Sequence, residues 1–273
     1  MKPSMRRVGI LAAALMMVAA AFWRATPAMV AGISPEQAGP AAGSLPARTT
    51  QPKEITLEQR ADVFMARKNY AEAADYYYQA LKQSSLKDPV LWNKLGIAFQ
   101  QQSNFHSASK AYTDATRLNK NFAEAWNNLG TVFFMQKKFG RSVKYYQRAI
   151  ELEGNNAPFH MNLGTSYYHL KKFPQAVEEY RTALGIDPNV VTQESPVGTI
   201  VHAGGAGVEF YFYMAKAFAS VGKAEEAVRY LRRALEDGFH DPKRIEEDPD
   251  FKKISQYPAF VELMRNPPVA IKN

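Results

Sequence analysis

Downstream of Glu54 the apolar residues return every three or four positions along helix-length stretches broken by short polar turns, the spacing of amphipathic helices rather than strands. Three stretches fall into register 34 residues apart: Trp92-Asn93-Lys94-Leu95-Gly96, Trp126-Asn127-Asn128-Leu129-Gly130 and His160-Met161-Asn162-Leu163-Gly164. Behind each Leu-Gly pair come an aromatic (Phe99, Phe133, Tyr167), a small residue (Ala108, Ser142, Ala176), a tyrosine (Tyr112, Tyr146, Tyr180) and an alanine (Ala115, Ala149, Ala183). In such a unit, positions 4, 7, 8 and 11 share one face of a first helix, and positions 20, 24 and 27 share one face of a second. Each unit therefore predicts an antiparallel helix pair. Glycine and alanine let the two backbones approach where they cross, and the aromatics fill the volume beside them. One pair cannot bury its own apolar face, so the units must stack.

This period, with its order of large and small residues, resembles the tetratricopeptide repeat. The resemblance implies an all-α fold of antiparallel helix-pair repeats stacked in a right-handed solenoid. Counting outward extends the array. Leu57, Ala61, Phe64, Ala73, Tyr77 and Ala80 fit a unit starting at Glu54, with Arg60 in place of the apolar residue at position 7. Tyr211, Met214, Ala215, Phe218, Ala227, Leu231 and Ala234 fit a unit starting at Val208, after an interruption over 191–207. The predicted array is one domain, 54–241, with units 54–88, 89–122, 123–156, 157–190 and 208–241. Beyond it, Ile245, Phe251, Ile254, Tyr257, Phe260 and Leu263 predict a short, proline-broken helical cap over 242–266. Asp248, Lys252, Lys253 and Glu262 would give that cap a polar outer face. The Asp-Pro and Tyr-Pro-Ala-Phe elements of this tail resemble those of many bacterial repeat proteins of the family.

The amino-terminal segment 1–25 has the outline of an export signal or a membrane anchor: Lys2, Arg6 and Arg7 precede an uncharged apolar run, Val8 to Trp23, closed by Arg24. The run is shorter than the roughly 20 residues that span a bilayer comfortably. Alanine-rich sequence at 19–21 and 28–31 offers places to cleave, so cleaved export is expected over a retained anchor. Any membrane association would run through residues 8–23. Residues 26–53, rich in Ala, Pro, Gly, Ser and Thr, read as a disordered linker. With no cysteine the chain offers no disulfide framework and no lipid-modified cysteine. The expected location is outside the cytoplasm, periplasmic or held at the inner membrane.

The formal charge is +8, but residues 1–50 carry five basic side chains against one acidic, so half of the excess belongs to the targeting segment. Within the array the balance is uneven. Residues 105–172 hold ten Lys or Arg against four acids, whereas 174–273 hold twelve against fifteen. Lys137, Lys138, Arg141, Lys144 and Arg148 form a basic face on the third unit, read as a solvated helix surface or as a contact for an anionic partner or lipid headgroups. Nucleic acid is not expected beside an export signal.

Side chains at positions 2, 5, 6, 9, 12 and 13 are not needed between paired helices, so the first helices can present them in a concave groove. The candidate peptide-binding set is Asn93, Lys94, Asn127, Asn128, Thr131, Asn162, Thr165 and His169. An asparagine amide both donates and accepts, so Asn128 and Asn162, which resemble the asparagine ladder of some peptide-binding members of the family, could hold an extended backbone. The alternative is that Asn-Leu-Gly is repeat consensus and serves packing. Lys94 stands alone among the groove positions, which argues against a clamp for a terminal dicarboxylate. The interruption reads as a flexible insertion, or as a flap whose Ile200, Val201 and His202 would share a pocket with Glu209, Phe212 and Tyr213. Its glycines, Gly204, Gly205 and Gly207, precede no Gly-Lys-Ser/Thr and follow no strand, so a phosphate loop is a weak reading.

Chemistry has little to rest on. His106, His160, His169, His202 and His240 show no metal-ligand spacing, no nucleophile elbow occurs, and the carboxylates are scattered. His160 stands where the repeats have tryptophan and is read as a packing residue. The sequence thus predicts no enzyme and no cofactor. It predicts a scaffold of the bacterial cell envelope that binds a protein or peptide partner in its groove, or a module that meets an anionic surface through the third repeat.

Overall fold

The computed structural model of the chain describes residues 55–191 and 207–270. The targeting segment, the linker and most of the interruption, with its predicted flap residues, lie outside the described residues. The described helices all belong to one compact unit.

Every element of the described residues is a helix. They run α1 (Leu57–Ala66), α2 (Tyr70–Gln83), α3 (Pro89–Gln101), α4 (Phe105–Leu118), α5 (Ala123–Met135), α6 (Phe139–Leu152), α7 (Ala157–His169), α8 (Phe173–Ile186), α9 (Val208–Ser220) and α10 (Ala224–Glu236). Three short helices come after them: α11 (Pro242–Glu247), α12 (Pro249–Lys252) and α13 (Pro258–Arg265). Odd and even helices pair as α1–α2, α3–α4, α5–α6, α7–α8 and α9–α10, and each second helix packs on the next first helix. This is the stacked helix-pair solenoid that the periodicity predicts.

Local signals set the starts. Thr56 and Gln59 close a capping box on α1, and the Asp88 carboxylate accepts from Val90 and Leu91 N–H ahead of Pro89 at the first position of α3. The turn between the helices of each unit places one residue in the left-handed region: Lys68, Ser103, Lys137, Lys171 and Gly222. All five hold position 15 of their units.

Within a pair, the crossing is fixed by one contact. Gly96, Gly130 and Gly164 lie on the rings of Tyr112, Tyr146 and Tyr180, so closely that an added Cβ would fall 2.6–2.8 Å from ring carbons. Each of these tyrosines is fully buried. In the first unit the same places hold Ala61 and Tyr77, both buried, and the Tyr77 hydroxyl reaches Asp62.

A second contact locks the start of the first helix to the preceding turn. The indole Nε1 of Trp92 donates to the Leu86 carbonyl at 3.0 Å, and that of Trp126 to the Lys120 carbonyl at 2.9 Å. His160 takes the same role, with Nε2 3.0 Å from the Gly154 carbonyl. The packing reading of this histidine agrees with its place in the fold.

At the carboxyl end, α12 packs on α9 and α13 on α10. Ile245, Phe251, Ile254, Phe260 and Leu263 are buried, whereas Tyr257 is exposed. One residue of the expected polar outer face, Asp248, departs from it, and the unpredicted Asp250 joins Asp248. Asp248 turns inward to pair with Lys216 at 2.6 Å, and Asp250, itself buried, lies 3.0 Å from Lys253. The Pro249 turn that starts α12 places both carboxylates against the last repeat rather than toward water.

Candidate functional site

The predicted groove asparagines are placed side by side, but they face one another. Asn162 Nδ2 donates to Asn127 Oδ1 at 2.9 Å, Asn127 Nδ2 approaches Asn128 Oδ1 at 3.5 Å, and Asn128 Nδ2 donates to Asn93 Oδ1 at 3.0 Å. The chain of amides therefore crosses from the fourth unit to the second. Asn128 is 3% exposed and Asn162 is 0% exposed. These positions are not used between the paired helices of a unit, as the sequence predicts; they are used between units, where the faces of successive first helices meet and each amide finds a partner one repeat away.

Thr131 and Thr165 are buried beside the ladder. Each hydroxyl donates to the carbonyl one turn back, on Asn127 and Met161, and accepts from a core tyrosine, Tyr146 at 3.1 Å and Tyr180 at 3.4 Å. Lys94 bridges Glu58 at 2.8 Å and Asp62 at 2.9 Å across the first two units. Burial alone would depress the Lys94 pKa, but these hydrogen bonds and charges outweigh it and raise it.

His169 is the member of the set that lies at the surface. Its ring stacks on Phe139 at 4.6 Å and meets the edge of Phe134 and of Tyr168, and burial against those rings lowers its pKa. From there an aromatic row continues through Tyr168 to Phe173, which stacks on Tyr213 with centroids 4.5 Å apart.

That row ends at a recess of about 520 Å³ that sequence reading missed as a whole. Phe173, Pro174, Val177 and Tyr213 supply its apolar wall, and Arg181, Lys216, Arg244, Glu178 and Asp250 supply its charges. The cap builds part of it. Arg244 comes from α11, lies 4.3 Å over the Phe212 ring and donates to the Tyr213 hydroxyl at 2.6 Å, with Glu209 3.4 Å away. Arg181 donates to Glu178 at 2.8 Å and to Ser220 Oγ at 3.1 Å. Of the three residues predicted to share a pocket after the interruption, Tyr213 lines the recess, Glu209 pairs with Arg244, and Phe212 is core. The available signal was register: Tyr213 and Lys216 hold the same unit positions as Asn128 and Thr131.

The basic residues of the third repeat are only partly gathered. Lys138 and Arg141 both lie over the Phe133 ring, at 5.9 and 5.5 Å, and Lys138 also donates to Gln136. Arg148 pairs with Glu151 at 2.9 Å on α6, Lys144 is exposed on the same helix, and Lys137 sits in the turn before it.

The tetratricopeptide repeat family model matches residues 93–158 and 136–190. Over this stretch the chain is similar to the tetratricopeptide repeat. Proteins with this repeat commonly mediate contacts between proteins. Among characterised proteins none matches the chain. Solved structures similar to it include MamA, 23% identical over 64% of this chain and 92% of that one, with a TM-score of 0.48. MamA from Desulfovibrio magneticus RS-1 is 14% identical over 66% of this chain and 92% of that one, with a TM-score of 0.49. YrrB, described as a tetratricopeptide protein with an unusual peptide-binding site, is 17% identical over 66% and 83%, with a TM-score of 0.46. Among the described residues no helix is long and apolar enough to cross a membrane, and no group of three or more His, Cys, Asp or Glu could hold a metal ion.

Proposed function

We propose that this protein is a non-catalytic scaffold of the bacterial cell envelope that binds a peptide segment or protein subunit on the face of its first helices. The recess beside Phe173 and Tyr213 supports this reading most directly. It joins an apolar wall to guanidinium, ammonium and carboxylate groups, the combination that anchors one side chain of a peptide and orients its backbone. The buried asparagine ladder then acts as a rigid backing, since its amides already bond across repeats. The compartment rests on the apolar run from Val8 to Trp23 and its flanking basic residues, with export by cleavage or retention of the run at the inner membrane.

A second reading has its own observation. Lys144 is exposed with no carboxylate within salt-bridge distance among the described residues, and Lys138 and Arg141 share the Phe133 face, which suits contact with an anionic surface. Salt would weaken that contact strongly.

The test is affinity capture from an envelope fraction on three versions of the full chain: wild type, Phe173→Ala, and Asn128→Ala with Asn162→Ala. A partner kept by the wild type and lost from Phe173→Ala supports the recess as anchor. Equal retention by all three, with release in salt, refutes groove binding and favours the third-repeat face. Fractionation of cells decides the compartment, and a wholly cytoplasmic protein would sink that part of the proposal.

A further inference from the structure

On the outer side of the fifth unit, α10 carries Arg229, Arg232 and Arg233 on one stripe, above a recess of about 380 Å³ whose floor is Tyr211 and Tyr230 and whose far edge is Glu236. This cluster belongs to neither the groove nor the third-repeat face. Its guanidinium groups are held mainly by rings. Arg229 lies 5.9 Å over Tyr230, and Arg233 lies 5.7 Å over Tyr211. Arg233 also pairs with Asp237 at 3.2 Å, but among the described residues Arg229 and Arg232 have no carboxylate within salt-bridge distance. Arg233 lies in the last turn of α10, where the helix dipole favours a cation, whereas Arg229 and Arg232 lie before that turn and keep their charge available to a ligand.

The floor is a repeated design. In the third unit Trp126 and Tyr145 stack at 6.1 Å and Phe133 meets Tyr145 at 5.1 Å. In the fifth, Tyr211 and Tyr230 stand 6.3 Å apart and Phe218 meets Tyr230 at 5.1 Å. Lys144 and Arg148 hold the unit positions of Arg229 and Arg233. The fifth unit adds a third cation, Arg232, where the third has Gln147. The fourth unit, between them, carries Glu178 and Glu179 at the corresponding turn of its second helix, already bonded to Arg181 and His160.

We propose that the recess over Tyr211 and Tyr230 is a second docking site, independent of the groove, that takes an acidic peptide segment of a partner protein. Guanidinium matches carboxylate geometry in paired hydrogen bonds and stays on an aromatic face while doing so. An apolar side chain next to those carboxylates would enter the recess over the tyrosines. A bilayer fits less well. Glu236 lines the site, and Glu178 and Glu179 of the fourth unit stand between the cations of the third and fifth, interrupting the positive charge that a flat anionic surface would need.

The experiment is fluorescence anisotropy on the full chain in low salt, with a short labelled peptide alternating glutamate and phenylalanine and with its glutamine counterpart. The wild type binds the glutamate peptide and not the glutamine one. Arg229→Gln with Arg232→Gln weakens that binding by roughly tenfold or more. It lowers the melting midpoint only slightly, because neither residue pairs with a carboxylate and a single exposed cation–π contact, Arg229 over Tyr230, is lost. Phe173→Ala binds the peptide as the wild type does. Equal affinity for the glutamine peptide, no effect of the arginine pair, or a parallel loss in Phe173→Ala would each overturn the proposal. So would co-sedimentation with phosphatidylglycerol vesicles, lost in the arginine variant, with no binding of the peptide.

Discussion

Gly130 and Tyr146 meet where α5 crosses α6, with the ring 2.8 Å from where a Cβ would be, and the contact recurs at Gly96 and Gly164. A side chain there must push a fully buried ring out of the core. Gly130→Leu is expected to cost about 3 kcal/mol or more in urea denaturation, at the upper end for overpacking. Gly130→Ala should cost less, because the first unit accommodates Ala61 beside Tyr77. His160 gives a pH signature. Its ring faces two acceptors, the Glu179 carboxylate at 2.7 Å and the Gly154 carbonyl at 3.0 Å, so only the imidazolium donates to both. The hydrogen bond to Glu179 raises its pKa against the opposing effect of burial. A group whose folded pKa is raised contributes stability that is complete below the unfolded value, about 6.5 for histidine, and is lost as pH rises through the folded value. The melting midpoint should therefore fall from mildly acid to mildly alkaline pH, and His160→Gln should flatten that slope. An unchanged slope would mean that the pair does not titrate in this range.

The elements differ in how well they are held. The cap grips the last repeat through Arg244, whose guanidinium lies over Phe212 and bonds Tyr213. Arg244→Ala removes a partly desolvated cation–π contact and a hydrogen bond, and a loss of about 1–2 kcal/mol in thermal unfolding is expected. The same change should open the recess, since Arg244 is part of its lining. At the other end, α1 packs on α2 with no repeat before it among the described residues. Arg60 departs there from the apolar consensus, at the position where the other units bury a residue.

For the array as a whole, contacts run between neighbouring helices and seldom farther, so opening is local and graded. Amide hydrogen exchange should show α1 exchanging fastest among the repeat helices and α3 to α8 slowest, because the latter have packed repeats on both sides. Uniform exchange across the array would contradict this nearest-neighbour picture. Denaturant unfolding should broaden in variants that weaken one interface, since the segments then separate instead of melting together.

The sequence by itself determined the helix pairs, their register and their stacking, because a helix that buries one face must show it every three or four residues and a repeated crossing must repeat its small and aromatic residues. Glycine at position 8 and tyrosine at position 24 are legible in this way. The tertiary structure decided what the polar residues do. Asn128 and Asn162 read equally well as a peptide ladder or as consensus, and only the approach of successive first helices turned their amides onto Asn93 and Asn127. The left-handed residue at position 15 is lysine in three units, a choice that local preference would not announce and that the tight turn between packed helices imposes. The recess is assembled from α8, α9 and the cap, so Arg244 and Asp250 reach it from tens of residues downstream of Phe173 and Tyr213. Periodicity reports which face of an element is buried. It carries no information about which distant side chains converge, because that depends on how the elements cross.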